Sequence, residues 1–88
     1  MSNDLTVAEL TATKIEAMTL NETLTALLRF GHPRLGHYDK GWYCTVEMFV
    51  SAKGVDFKIA SDFGHATAVR AAAECLQRTV KTVSEVGR

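Results

Sequence analysis

The chain has no surplus of charge: ten basic side chains face ten acidic ones, with three histidines and a formal net charge of zero over 88 residues. That balance speaks against a protein built to coat nucleic acid, whose affinity comes from neutralising phosphates. No apolar run approaches the roughly 18 to 20 residues of a membrane span. The opening Met1-Ser2-Asn3-Asp4 has neither a basic nor an apolar region of the signal-peptide kind, so a cytoplasmic chain with no membrane contact is expected. Cysteine is scarce. Cys44 and Cys75 lie far apart among apolar neighbours and read as two buried thiols, too few for a disulfide scaffold. Proline occurs once, at Pro33, and there is no repeat or low-complexity tract.

Signatures of chemistry are also lacking. His32 and His37 are five positions apart with no second pair at zinc spacing, so no metal is expected. Gly31, Gly36 and Gly41 are followed by no GKS or GKT, so there is no phosphate loop. Neither cysteine has a neighbouring base to activate it. These features point to a chain that is not an enzyme and needs no cofactor.

What is present is patterning. Hydrophobic residues make up 47% of the chain and charged residues 23%, as in a globular domain with a single core. Leu5, Ala8, Ala12 and Ile15 recur at helical spacing, and Thr6 with Glu9 fits a capping box. Residues 1–18 therefore read as an N-terminal amphipathic helix or a flexible extension. A second capping box, Thr19 with Glu22, opens a better helix with Leu20, Leu24, Leu27 and Leu28 on its inner face, stopped before Pro33. A short edge strand is expected over Arg34–Tyr38. Trp42, Cys44, Val46, Met48 and Val50 then alternate with polar positions, and Val55, Phe57 and Ile59 do the same after a turn. Closing that hairpin with Val50 opposite Val55 brings Val46 to Ile59 and the opposite charges Glu47 and Lys58 together. A long helix over Ala66 to Val86 ends the chain, with Val69, Ala72, Leu76, Val80 and Val83 inward. The fold class is α+β, a small antiparallel sheet packed by helices in the order α-α-β-β-β-α, with one domain over residues 19–88.

Three stretches carry a resemblance. Leu20-Asn21-Glu22 followed by Leu24, the alternating Trp42-Tyr43-Cys44-Thr45-Val46-Glu47-Met48, and Ala68 with Arg70-Ala71-Ala72-Ala73-Glu74-Cys75-Leu76 resemble the first helix, central strand and alanine-rich last helix of the double-stranded RNA-binding domain (dsRBD) family. The likeness spans about 65 residues and implies that family's α-β-β-β-α fold. It also implies duplex RNA binding through a lysine cluster at the last helix, a first-helix face and a strand-connecting loop. Here the lysine positions hold His65, Ala66 and Val69, with Arg70 the nearby cation, and the loop is only Tyr38-Asp39-Lys40-Gly41. Glu22 occupies the place of an RNA-facing glutamate. Members without the lysines look like protein-binding modules. Chains of this size and style also recur among phage and mobile-element accessory proteins.

Charge is unevenly placed behind the zero total. Residues 1–22 carry a net −3 and residues 23–88 a net +3, so an acidic first helix could cover the basic loop of its own chain or of a second copy. Arg29, His32, Arg34, His37 and Lys40 cluster among aromatic residues. With the outward strand positions Tyr43, Thr45, Glu47, Phe49 and Lys58 they suggest a contact surface for a protein partner or a homodimer. The expected partner-binding residues are Arg29, His32, Arg34, His37, Lys40, Tyr43 and Phe49. If the partner is nucleic acid instead, Glu22, Arg29, Arg34, Lys40 and Arg70 would contact it.

Overall fold

The computed structural model describes residues 9–48, 58–61 and 64–86. The order is α1 (Ala12–Glu16), α2 (Leu20–Leu28), β1 (Gly31–Tyr38), β2 (Gly41–Met48), β3 (Lys58–Ala60) and α3 (Ala68–Val86). The strands form one antiparallel sheet in the order β1-β2-β3. The α+β class and the element order are those expected from the sequence.

Helix α1 is shorter than the periodicity suggests. Its N-cap is Thr11, whose hydroxyl accepts from the Lys14 N–H at 3.3 Å. Thr6, Leu5 and Ala8 lie outside the described residues. Ala12 is exposed, and the core is reached instead by Ile15 and by Leu10 ahead of the helix.

Helix α2 starts as its capping box dictates. The Thr19 hydroxyl accepts from the Glu22 N–H at 3.1 Å, and the Glu22 carboxylate accepts from the Thr19 N–H at 2.8 Å. Together these satisfy two donors that a helix start leaves orphaned. Its buried residues are Thr23, Ala26 and Leu27, with Leu20 and Leu24 packed alongside. The expected inner Leu28 is 53% exposed. Thr23 takes the inner position because its hydroxyl donates to the Thr19 carbonyl at 2.9 Å and so enters the core already paired.

Strand β1 runs three residues further toward the N-terminus than the expected Arg34–Tyr38. Its eight residues pair from Gly31↔Met48 to Tyr38↔Gly41. Local propensity is poor in this Gly-, Pro- and His-containing stretch, so the β2 ladder extends it. Pro33 is tolerated because β1 is an edge strand, where a residue without an N–H can turn its nitrogen away from the partner. The two-residue turn Asp39-Lys40 requires glycine after it: Gly41 has φ +130°, and a Cβ there would collide with backbone of Gly64 and His65.

The β2–β3 register is the expected one, with Val46↔Ile59 and Glu47↔Lys58. Met48 opposite Phe57 and Val50 opposite Val55 fall outside the described pairs. Glu47 and Lys58 face each other without closing an ion pair. Ser61 extends the contact, donating its N–H to the Cys44 carbonyl at 2.8 Å while its hydroxyl accepts the Cys44 N–H at 2.9 Å.

Helix α3 begins two residues later than expected, because Thr67 accepts at its start, its hydroxyl from the Arg70 N–H and its carbonyl from the Ala71 N–H. Its buried residues are Ala71, Ala72, Cys75, Leu76 and Thr79. The inward stripe is therefore rotated from the expected one, and Val69, Val80 and Val83 are half-buried. Small residues let the helix lie close on the sheet, and Thr79 donates its hydroxyl to the Cys75 carbonyl at 2.8 Å. The core joins Leu10, Ile15, Ala26 and Leu27 to Cys44 and Val46 of β2 and to the α3 stripe. Both longer helices thus pack on one face of the sheet.

Candidate functional site

Strand alternation decides which residues share a surface. Directly paired residues of an antiparallel sheet lie on the same face. The pairs His32↔Glu47, Arg34↔Thr45 and Gly36↔Tyr43 therefore belong, with Tyr38, Lys58 and Ala60, to the face opposite the helices. No described element covers that face.

Its centre is aromatic. Tyr38 and Tyr43 meet edge to face, with ring centroids 5.9 Å apart and planes at 68°, a favoured aromatic geometry. The Tyr43 ring lies across Gly36, where a Cβ would overlap the ring atoms. Glycine in the edge strand thus makes room for the tyrosine of the central strand, as aromatic residues do over strand glycines. Around this pair stand His32, Arg34, Glu47 and Lys58, all exposed. Thr45 was expected to be an exposed member of the face, yet it is only 8% exposed. It sits on the central strand between Arg34 and Ala60, and flanking side chains screen it.

The expected basic–aromatic cluster is divided by the fold. His32, Arg34 and Tyr43 come together on the outer face. His37 pairs with Trp42 on the opposite face, their rings 4.8 Å apart. Arg29 caps α2, its guanidinium 5.7 Å from the Phe30 ring. Lys40 is in the β1–β2 turn, and Phe49 lies outside the described residues. Tyr38, the last residue of the expected strand and absent from the expected contact set, also belongs to the face. The signal was the two-residue spacing of His32, Arg34, Gly36 and Tyr38.

The start of α3 forms a second polar region. His65, at one of the positions where the resemblance calls for lysine, is not a free loop residue. Instead it pairs with Trp42 through two backbone hydrogen bonds of 2.9 and 3.1 Å. Its Nε2 lies 3.0 Å from the Glu74 carboxylate. Glu74 also meets Arg78 at 3.7 Å, and Arg78 donates to the Ala60 carbonyl at 2.7 Å. These contacts tie α3 to the Trp42–His65 bridge and to the neighbouring end of β3. A groove of about 450 Å³ beside them is lined by Glu16, His65, Val69, Arg70, Ala73, Glu74 and Gln77. Its two carboxylates offset Arg70 where a phosphate clamp would need cations. Of the alternative nucleic-acid set, Arg34 faces outward from the sheet, Arg70 lies on the helix side, and Glu22 is committed to its capping box. The five residues form no single surface.

Two hydrogen bonds from Thr19, the backbone N–H first and the side chain second, hold the Glu22 carboxyl below the usual glutamate range. Among the described residues no three His, Cys, Asp or Glu side chains converge to hold a metal, and no helix is long and apolar enough to cross a membrane. Set against known proteins, the chain matches no family model, no curated protein and no solved structure.

Proposed function

We propose that this chain is a small non-catalytic interaction module that binds another protein through the outer face of its sheet. The observation carrying this reading is the Tyr38–Tyr43 pair on a face that no described element covers, flanked by Arg34 and Lys58. Tyrosine and arginine are the residue types that anchor protein interfaces. In this reading the layout is dsRBD-like, supported by a β1-β2-β3 sheet with α2 and α3 on one side, and the family's surface has been turned from RNA to protein. The protein works in the cytoplasm as an accessory protein of a phage or mobile element, a reading carried by its size and composition. A homodimer would use the face rather than the β1 edge, since Pro33 has no N–H for an added strand.

Duplex RNA binding is the competing outcome, and one comparison separates the two. Wild type, Tyr43→Ala, Arg34→Glu and the groove control Gln77→Ala are used as baits in the native host. A protein retained by wild type and Gln77→Ala, but lost from the two outer-face variants, is the expected result. Equal retention by all four baits overturns the assignment of the face. Duplex RNA bound more tightly than about micromolar, with a steep salt dependence, overturns the protein reading itself.

A further inference from the structure

The outer face ends at β1, and the hydrogen bonds of β2 fix which way the β1 backbone points. The Cys44 N–H and C=O both bond Ser61, at 2.9 and 2.8 Å. The Trp42 N–H and C=O both bond His65, at 2.9 and 3.1 Å. These groups of β2 therefore point away from β1. Bonded and non-bonded pairs alternate along an antiparallel ladder. Leu35↔Cys44 and His37↔Trp42 are then the non-bonded pairs, and Arg34 and Gly36 bond to β2. The N–H and C=O of Leu35 and His37 are turned outward, to the edge of the sheet. Pro33, opposite Val46, falls in the same outward set, where a proline costs no ladder bond. In the sheet β1 has β2 as its neighbour on one side only. Among the described residues nothing bonds the outward groups of Leu35 and His37. Donors and acceptors alternating at a repeat of about 7 Å match one chemistry, an extended polypeptide main chain.

We propose that the partner enters as an extended segment that adds antiparallel to β1 along Leu35–His37. The inference rests on the protein-binding reading of the outer face and names the form the partner takes there. Pro33 offers no N–H and ends the site, so a short segment fits while pairing along the whole of β1 does not. Strand alternation sets the side chains of the segment. Its residue opposite Gly36 lies on the outer face, beside the Tyr43 ring that lies across Gly36. An apolar or aromatic side chain fits there. In antiparallel order the residue two positions later stands opposite Arg34, which is exposed, and an acidic side chain fits there. The residue between them exchanges both its main-chain bonds with Leu35. The segment thus reads apolar, any residue, acidic.

The test pans the folded full chain against a phage-displayed library of random peptides, and the enriched peptide is synthesised and titrated. A family carrying the apolar, any residue, acidic pattern is expected. In free wild type the Leu35 and His37 amides exchange hydrogen fast and those of Arg34 and Gly36 slowly; on binding, Leu35 and His37 become protected. His37→Pro deletes an outward N–H, spares the ladder, and should weaken binding at least about tenfold. His37→Ala keeps that N–H and should stay within about threefold of wild type. Tyr43→Ala and Arg34→Glu should weaken the peptide as well. Equal binding by His37→Pro and His37→Ala, or no added protection at Leu35 and His37, overturns strand addition. If Tyr43→Ala and Arg34→Glu still weaken the peptide in that case, the outer-face reading stands and the segment lies across the face. No peptide bound below about 1 mM also overturns strand addition, and the face reading is then decided by the four baits. Slow exchange at Leu35 and His37 in free wild type overturns it too, whether or not His37→Pro folds.

Discussion

The two faces of strand β2 obey opposite rules although their residues alternate one by one. Cys44 and Val46 are completely buried under the helices. Tyr43 and Glu47, on the other side, are half-buried and exposed, with only Thr45 closed off between the flanking strands. On the helix side the constraint is volume, because close-packed interiors respond to each methylene. On the outer side it is local geometry: a glycine that admits a ring, and exposed charged side chains around it. Stability is concentrated on one face, which leaves the other free to be selected for contact.

The largest break in that contrast is expected from the covered side. Leu27→Ala or Leu76→Ala removes a side chain with no exposure and should cost about 2–5 kcal/mol in urea denaturation. Gly41→Ala tests the hairpin that sets the register. Its φ of +130° and the neighbouring backbone should make the loss more than about 1 kcal/mol. Thr19→Ala removes the cap of α2, with an expected loss of about 1 kcal/mol.

The same capping box has a pH signature. The folded Glu22 carboxyl lies below its ordinary value. Its contribution is therefore present above the unfolded pKa and is lost as pH falls through the folded one. Wild type should exceed Glu22→Gln in stability near neutrality, and the two should converge in acid. A difference that stays constant with pH would show that the charge plays no part.

The smallest stability effects belong to the outer face. Gly36→Ala should displace the Tyr43 ring and cost about 0.5–1 kcal/mol through the lost tyrosine contact. Arg34→Ser should change stability by less than about 0.5 kcal/mol while weakening partner retention. An Arg34 effect as large as that of Leu27 would erase the distinction between the faces.

Legibility followed the range of the interaction responsible. The α2 start was readable because Thr19 and Glu22 are three residues apart and satisfy each other. The β2–β3 register was readable because a one-residue slip would turn Val46 and Ile59 to opposite faces, and the observed pairing also sets Glu47 opposite Lys58. The exchange of Leu28 for Thr23, and the turn of α3 that buries Thr79, were not readable from hydrophobicity. In both threonines a hydroxyl bonded to the carbonyl four residues back hides its polarity.

Composition and local pattern alone were enough for the α+β class, the element order, the capped helix and the hairpin register, because each rests on neighbours in the chain or on strict two-residue alternation. Only tertiary structure decided that β1 extends from Gly31, that the basic cluster divides between two faces of the sheet, and that Thr79 turns into the core. Those outcomes depend on which strand lies beside which and on how α3 is rotated over the sheet. Both are set by packing a shared core from distant parts of the chain.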